Sequence, residues 1–328
     1  RPAMNGVWHD SCNESIVPHI LAINPGSTST KIALFEDDTA LFEKTLRHSA
    51  EQLSRFDNIA DQFAFREAVI HDALREAAPR PKDPEDPVDP TDPVDASGAE
   101  ASTGLDAVVG RGGLIRPVSG GTFAVNEAML QDLREGYAGE HASNLGGILA
   151  QHIAERRGIP AFIVDPVVVD ELARPARLSG MPEVPRVSIF HALNQKAVAR
   201  RAAAEMGKSY EEMRFVVAHL GGGTTVGIHD RGRVVDVNDG LNGEGPFTPE
   251  RSGGVAALKI IELLTTGAYD AKQLKRRIKG EGGLVAYCGT NSVEDLSARA
   301  EAGDETAREA LEAMAYQVAK EIGAMAAV

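Results

Sequence analysis

Hydrophobic and polar positions follow two different periods along this chain, and these periods predict strands and helices in turn. Short apolar runs predict strands at residues 19–24, 31–36, 105–110, 161–165, 215–220, 224–229 and 234–237. Apolar residues spaced three and four apart predict helices at residues 51–78, 141–157, 194–206, 253–266, 269–279, 293–302 and 304–328. Strands that alternate with helices in this way indicate an α/β fold.

Three segments need a separate interpretation. Residues 1–17 are typical of a flexible leader and lack the apolar run of a signal peptide. Residues 79–104 hold 6 of the 17 prolines, with seven acidic residues against two basic ones. This composition predicts a disordered surface insertion, while a role in binding metal ions or partners stays open. The last helical pattern reaches Val328 without a capping glycine, so we expect the natural chain to extend further.

Two parts of the chain resemble each other. A shift of 195 residues brings Asn24 onto His219 and Gly26 onto Gly221, within HILAINPGSTST and FVVAHLGGGTTV. Each segment is an apolar strand, a turn of small residues and a second strand, although the second strands are out of phase by about one residue. Chance similarity of two hairpins is one interpretation. The other is a duplication, with homologous domains at 18–184 and 185–328 that offer two loops to one polyphosphate.

Charge and cysteine content exclude several classes of function. The chain has 34 basic and 48 acidic residues, a net charge of −14. This argues against binding to nucleic acids or to anionic membranes, both of which need clustered positive charge. Two cysteines exclude a disulfide framework and are typical of the reducing cytoplasm. No apolar stretch is long enough to predict a membrane span.

Two segments rich in glycine, serine and threonine are candidate phosphate-binding loops: NPGSTSTK and HLGGGTT. Small residues let backbone N–H groups approach phosphate oxygens, hydroxyl groups add donors, and lysine adds charge. Polar hairpin turns and a β-bulge are the alternative interpretations. The residues that we expect to bind nucleotide are Asn24, Gly26, Ser27, Ser29, Lys31, His219, Gly221, Gly222, Gly223 and Thr224.

Four further residues stand at the ends of apolar runs or beside glycines. Arg111 in GRGG and Arg251 in TPERSGG are placed to bind a carboxylate or phosphate through paired hydrogen bonds. Asp165 ends the strand AFIVD, where a carboxylate often holds Mg²⁺. His191 follows VSIF and could stabilise charge on a transferring group. Surface arginines, a turn aspartate and a core histidine are the alternatives, but the combination predicts phosphoryl transfer to a small anion.

Six motifs in this order resemble the acetate kinase family, and within it the butyrate kinase branch. They are NPGSTSTK, AVVGRGGLIRPVSGGTFAVN, FIVDPVVVDEL, VSIFHALNQKAVAR, HLGGGTTVGIH and NDGLNGEGPFTPERSGG. The resemblance implies the architecture shared by acetate and sugar kinases, heat-shock protein 70 and actin. In that architecture two ribonuclease H-like domains flank a nucleotide cleft.

The resemblance also implies an activity: reversible, Mg²⁺-dependent transfer of the γ-phosphoryl of ATP to a short-chain carboxylic acid, giving ADP and an acyl phosphate. By this resemblance the catalytic residues are Arg111, Asp165, His191 and Arg251, while Asp165 and Asn24 help to hold Mg²⁺. It further implies a cytoplasmic homodimer or larger homo-oligomer. A butyrate or branched-chain fatty-acid kinase is the leading interpretation.

This sequence departs from acetate kinase at three places. It has FHALNQ where that enzyme reads roughly FHGTSH, and GRGG where it reads HRVVHGG; both changes favour a longer acyl chain. We find neither the glycine-rich adenosine-binding segment nor the metal-site glutamate that the family carries near its C-terminus. The alternatives are therefore an acetate or propionate kinase and a truncated, non-catalytic nucleotide-binding protein. A sugar kinase is disfavoured, because paired arginines suit an anionic acceptor.

Overall fold

The computed structural model describes residues 17–77 and 104–328. The predicted leader and insertion therefore lie outside the described residues, apart from positions 17 and 104. The chain divides into two compact units. Within the described residues, unit 1 comprises 17–77, 104–111, 124–126 and 142–162, and unit 2 comprises 112–123, 127–141 and 163–328. The domains at 18–184 and 185–328 stay a prediction.

The strands of the described residues form two sheets. In chain order they are β1 (His19–Pro25), β2 (Ser29–Glu36), β3 (Thr39–Arg47), β4 (Ala107–Arg111), β5 (Thr122–Ala124), β6 (Ala161–Val164), β7 (Arg214–Leu220), β8 (Thr224–Asp230) and β9 (Arg233–Val237). The first sheet has the order β3-β2-β1-β4-β6-β5, and β1 pairs antiparallel with β2 and parallel with β4. The second, β7-β8-β9, is antiparallel throughout.

Helices follow or separate these strands, which confirms the predicted α/β class. They are α1 (Ala50–Leu53), α2 (Phe63–Ala77), α3 (Glu127–Glu135), α4 (Asn144–Glu155), α5 (Arg174–Arg177), α6 (Ala192–Glu205), α7 (Ala257–Thr265), α8 (Ala271–Ile278), α9 (Gly283–Cys288), α10 (Val293–Glu301) and α11 (Glu305–Ala326). Short 3₁₀ turns lie at Ala60–Gln62 and Tyr210–Glu212. In the described part of the chain, no helix combines the length and the apolar character needed to cross a bilayer.

One helix prediction was wrong, and three helices, α3, α5 and α9, were not predicted. The stretch 51–78 is not one helix, because α1 ends after Leu53 and α2 begins only at Phe63. Between them Asn58 accepts a hydrogen bond from the backbone N–H of Asp61, a local turn that competes with helix. Helix α9 was not predicted at all, since it is short and begins at Gly283 with a φ of 57°.

The core of unit 1 forms between its strands and the helices α2 and α4. Leu21 and Val108 of the sheet pack with Ile70 of α2 and Leu149 of α4, all fully buried. Glycines let α4 come very close to β4, because a Cβ at Gly110 would overlap the backbone of α4. This contact fixes the end of β4, where Arg111 lies.

The two hairpins that resemble each other in sequence are antiparallel in both cases. The β1–β2 hairpin closes with Pro25 opposite Thr30, and the β7–β8 hairpin closes with Leu220 opposite Thr224. The first turn is therefore one residue longer than the second. This difference accounts for the one-residue offset of the second strands in the sequence comparison.

Candidate active site

In unit 1 a buried arginine holds the turn between β1 and β2. Arg66 of α2 donates hydrogen bonds to the carbonyl oxygens of Ser29, at 3.1 Å, and Ser27, at 3.4 Å. It also donates to Oγ1 of Thr30, at 3.0 Å, and to Oε1 of Gln62, at 2.8 and 3.0 Å. All these acceptors are uncharged, and burial lowers the pKa of Arg66. The positive charge therefore adds to the attraction of the turn for an anion.

The end of β4 meets the end of β1 in the same unit. Nη1 of Arg111 donates a hydrogen bond to Oδ1 of Asn24 at 3.3 Å, so the structure brings these two predicted site residues together. Burial lowers the pKa of Arg111. Lys31 is oriented differently: its ammonium pairs with Glu43 of β3 at 3.1 Å, and its side chain is 54% exposed.

In unit 2 the predicted Asp165 is buried in a strained backbone conformation. Its φ is 39°, a region that residues other than glycine rarely adopt. Oδ1 accepts a hydrogen bond from the N–H of Gly121, and Oδ2 accepts one from Nη1 of Arg200, both at 2.8 Å. Arg200 lies on α6 and is half-exposed. The carboxylate is thus held in one orientation by a backbone donor and a cation.

The two predicted histidines of unit 2 are in direct contact. The rings of His191 and His219 stack with centroids 3.8 Å apart and planes inclined by 12°. Nδ1 of His191 lies 2.9 Å from Oγ1 of Thr225, and Nδ1 of His219 lies 2.8 Å from Oδ1 of Asn194. Two charged imidazoles at this separation would repel each other.

Behind His191 a chain of buried polar side chains continues into the core of unit 2. Nε2 of Gln195 lies 2.9 Å from both Oγ1 and the carbonyl oxygen of Thr225. Its Oε1 lies 3.0 Å from Nε2 of His229, whose Nδ1 lies 2.7 Å from the hydroxyl of Tyr210. Burial is the main cause that lowers the pKa of His229 to about 4 and raises that of Tyr210.

The second candidate phosphate loop lies against Arg251. The guanidinium donates from Nη1 to the carbonyl of Gly240, and a Cβ at Gly223 would overlap it. The hydroxyl of Thr248 donates to the carbonyl of Gly222 at 2.6 Å and accepts the backbone N–H of Arg251 at 3.0 Å. Burial lowers the pKa of Arg251. The glycine run thus makes room for a cation, and none of its three members has a positive φ.

A cavity of about 810 Å³ opens beside this loop. Gly221 and Gly222 form part of one wall, and Met314, Val318 and Ile322 of α11 form an apolar wall. Its polar lining includes Thr224, Glu250 and Asn291. The amide of Asn291 donates to Oε1 of Glu250 at 2.6 Å, which orients that carboxylate. An apolar wall with a few fixed polar groups is typical of a small-ligand site.

Whether the described residues could hold Mg²⁺ depends on the carboxylate of Asp165. Among the described residues, no group of three or more His, Cys, Asp or Glu side chains is arranged to hold a metal. Mg²⁺ does not need such a cage, since it usually binds through one or two carboxylates and the phosphates of a nucleotide. Asp165 uses one lone pair on each oxygen for its two hydrogen bonds. Lone pairs remain, so its carboxylate fits a nucleotide-borne Mg²⁺.

Several residues of this site were not found in the sequence. Thr225 ends the predicted loop HLGGGTT but was not among the residues chosen from it. The other three, Arg66, Gln195 and Arg200, are bonded to predicted residues, yet none lies in a glycine-rich loop or at a strand end. Among these three a signal existed for Gln195 alone, because it follows His191 by one helical turn. The two arginines are joined to the site only by the folded chain.

Comparisons with known proteins agree with the motifs. The acetokinase family profile matches residues 184–328. Butyrate kinase 1 of Clostridium acetobutylicum is 51% identical over 304 residues, which cover 93% of this chain and 80% of that protein. Butyrate kinase 2 of the same organism is 50% identical over 309 residues, 94% of this chain and 81% of that protein.

Solved structures extend the likeness to the fold. The crystal structure of Porphyromonas gingivalis acetate kinase matches with a TM-score of 0.71 at 19% identity, over 94% of this chain and 80% of that one. At this low identity the structural match supports a common fold and nothing finer. The sequence identity of about 50% to two butyrate kinases is stronger evidence than the structural match, because it extends over 93% and 94% of this chain. On this basis the chain belongs to the acetokinase family.

Proposed function

We propose that this chain is a butyrate kinase, which transfers the γ-phosphoryl of ATP to the carboxylate of a short-chain fatty acid and runs the reverse reaction as well. The observation that carries the proposal is 51% identity to a butyrate kinase over 93% of the chain. The site geometry supports it through the half-buried Arg251, which packs against Gly223, and through the stacked pair of histidines.

In this proposal the nucleotide binds to unit 2 beside α11. The apolar wall of the 810 Å³ cavity would take the adenine ring, and the backbone of Gly221–Gly223 would follow the phosphates. Thr224 lines the same cavity and can donate a hydroxyl hydrogen bond. In unit 1 the turn held by Arg66, with Asn24, Ser27 and Ser29, would bind a phosphate group.

The chemical step needs no general base. The acid is already ionised near pH 7, because carboxyl groups lose their proton near pH 4 to 5. One carboxylate oxygen attacks the γ-phosphorus, the bond from that phosphorus to the β-bridging oxygen breaks, and the electron pair leaves with ADP. Catalysis is then a matter of positioning and of charge neutralisation.

Two arginines and one histidine would neutralise the charge on the transferring group. Arg111 and Arg251 are half-buried, which strengthens their attraction for carboxylate and phosphoryl oxygens. His191 would donate a hydrogen bond to the phosphoryl group in flight. Asp165 would contribute one ligand to Mg²⁺, and Asn24 a neutral oxygen. When bound, Mg²⁺ supplies charge that screens the phosphates from the incoming carboxylate.

A hydroxylamine trap tests the activity. The chain is incubated with MgATP and acids from acetate to isovalerate, and acyl hydroxamate is measured. We expect butyrate and branched acids to exceed acetate. Highest rates with acetate or propionate would favour the short-acid alternative. ATP binding by calorimetry with no hydroxamate from any acid would establish the non-catalytic alternative and overturn the proposal.

We further propose that the enzyme works in the cytoplasm as a homodimer or larger homo-oligomer. Two cysteines in 328 residues support a reducing compartment. The assembly follows from the resemblance to the family. Sedimentation equilibrium of the chain would test it, and a monomer at micromolar concentration would contradict it.

A further inference from the structure

The buried chain of side chains behind His191 has a defined hydrogen-bond direction at every step. The fixed point is the carbonyl oxygen of Thr225, which can only accept. The terminal atom of Gln195 that lies 2.9 Å from this oxygen is therefore the amide nitrogen, and the other is Oε1. Gln195 has one possible orientation in this site, and its neighbours on both sides must conform to it.

On the inner side, the orientation of Gln195 determines which ring nitrogen of His229 carries the proton. Oε1 accepts from Nε2 of His229 at 3.0 Å, so this nitrogen carries the proton. Burial and the positive charges of Lys196 and Arg200 lower the pKa of His229 to about 4, although the negative charge of Glu171 acts in the opposite direction. The ring is neutral at pH 7 and its Nδ1 is unprotonated. The hydroxyl of Tyr210 then donates to Nδ1 at 2.7 Å.

On the outer side, Gln195 determines the direction of the Thr225 hydroxyl. Oγ1 accepts a hydrogen bond from the Gln195 amide at 2.9 Å and a longer one, at 3.5 Å, from the backbone N–H of His191. These two donors occupy both acceptor positions of the hydroxyl. Its own hydrogen therefore points at Nδ1 of His191, 2.9 Å away, which must accept it.

We propose that Thr225, Gln195, His229 and Tyr210 are positioning residues that fix His191 as the neutral tautomer with its proton on Nε2. This inference rests on the proposed function, in which His191 donates to the transferring phosphoryl group. In that function Nε2 is the nitrogen that would donate to the phosphoryl group. A second proton on Nδ1 would face a hydroxyl that has no acceptor position left, and the stacked ring of His219 adds a further penalty for charge.

The proposed arrangement has a catalytic consequence. A donor whose ring orientation and proton position are fixed before the substrate arrives needs no rearrangement in the transition state. An ordinary histidine would exchange between two tautomers and a charged form near neutral pH. The chain from Tyr210 to Thr225 removes these alternatives, although none of its members needs to touch the substrate.

Nitrogen-15 NMR of the histidine rings tests this directly in the full chain without substrates. Nδ1 and Nε2 have distinct shifts according to which one carries the proton, and H191Q identifies the signal of His191. We expect a proton on Nε2 and none on Nδ1 at pH 7.5. A wild-type signal with the proton on Nδ1, or one that averages both forms, would overturn the proposal.

Two sets of variants separate positioning from folding. In Q195M the Thr225 hydroxyl loses a donor and can accept from Nδ1, so we expect His191 to show mixed tautomers and kcat to fall about tenfold or more, with the KM for butyrate within about twofold. Q131M, on an exposed glutamine of α3, is the matched control. An unchanged His191 spectrum in Q195M would contradict the inference.

The second set covers the case in which Q195M does not fold. T225V keeps the shape of the side chain and removes the hydroxyl, whereas T225S keeps the hydroxyl. We expect T225V to show the mixed spectrum and T225S to restore the single tautomer. Equal spectra for the two would overturn the proposal. The tautomer is read without turnover, so a chain with the expected spectrum but no acyl phosphate would fail the proposed function alone.

Discussion

The guanidinium of Arg251 occupies the space in which a Cβ on Gly223 would lie. The positions of Gly223 and Arg251 are therefore adjusted to each other, although 28 positions separate them in the sequence. The carbonyl of Gly240 accepts a hydrogen bond from the same guanidinium. The arginine has little freedom to move, so its position depends directly on the absence of a side chain at 223.

Gly223→Ala should therefore displace Arg251. Because residue 223 has no positive φ, the backbone tolerates alanine and the effect is steric. A displacement of about 1 Å at a catalytic group costs on the order of a hundredfold in kcat/KM. Steady-state hydroxamate kinetics would measure it. Gly180→Ala, where a Cβ meets nothing within 4 Å, is the control and should retain full activity. Wild-type kinetics for Gly223→Ala would show that Arg251 is not held as described.

Arg66→Lys should loosen the first phosphate loop. Lysine cannot reproduce the hydrogen bonds to Ser27, Ser29 and Thr30, each of which is charge-assisted. We expect the free energy of unfolding to fall by about 2–4 kcal/mol and amide exchange at residues 26–30 to accelerate. Arg75→Lys on the more exposed part of the same helix is the matched change. Equal exchange rates in the two variants would contradict this role of Arg66.

The hairpins show which parts of the site the sequence could predict. Both turns consist of small residues between apolar runs, so their location, the strand ends at Arg111 and Asp165, and the position of Arg251 follow from local pattern. The one-residue difference between the hairpins was also visible before the fold. The orientation of Lys31 was not, because its pairing with Glu43 depends on the register between β2 and β3.

The supporting residues could not be predicted for a physical reason. Arg66 and Arg200 act through contacts across long sequence separations, and arginines on helices are usually solvated. Only the packing of α2 and α6 against the strands identifies their partners. The broken stretch at 51–78 is a similar case, since the spacing of apolar residues gave no sign of the turn at Asn58.

Arg200→Met should remove the cationic hydrogen-bond donor from the buried carboxylate of Asp165. A hydrogen bond to a charged group contributes about 1.5–3 kcal/mol, and Arg200 is half-exposed, so we expect a loss near 1–2 kcal/mol in urea unfolding. The neighbouring Arg201→Met removes an exposed pair with Glu205 and should change the free energy by less than about 0.5 kcal/mol. Equal losses of unfolding free energy in both variants would show that the contact with Asp165 stabilises the protein no more than an exposed ion pair does.

His229 should make the protein sensitive to mild acid. Its pKa is lowered from 6.5 to about 4 in the folded chain, so the unfolded chain takes up this proton first as the pH falls. The stabilising contribution is complete above about pH 6.5 and is lost as the pH falls towards 4. Between pH 7.5 and pH 5 this amounts to about 2 kcal/mol.

Urea unfolding of wild type and His229→Gln at these two pH values would isolate the contribution. The advantage of wild type over the variant should shrink by about 2 kcal/mol at pH 5. His71→Gln removes a histidine from α2 and serves as the comparison. An advantage for wild type that does not change with pH would mean that His229 is protonated in the folded chain as easily as in the unfolded one.

Phosphorus-31 NMR follows the proposed phosphoryl transfer from ATP to a carboxylate most directly. The chain is mixed with MgATP and butyrate, and all phosphorus species are recorded over time. We expect ADP and butyryl phosphate to form in equal amounts, and we expect added butyryl phosphate and ADP to give ATP. Release of ADP with inorganic phosphate from the first minutes, or bound ATP that is never consumed, would contradict it.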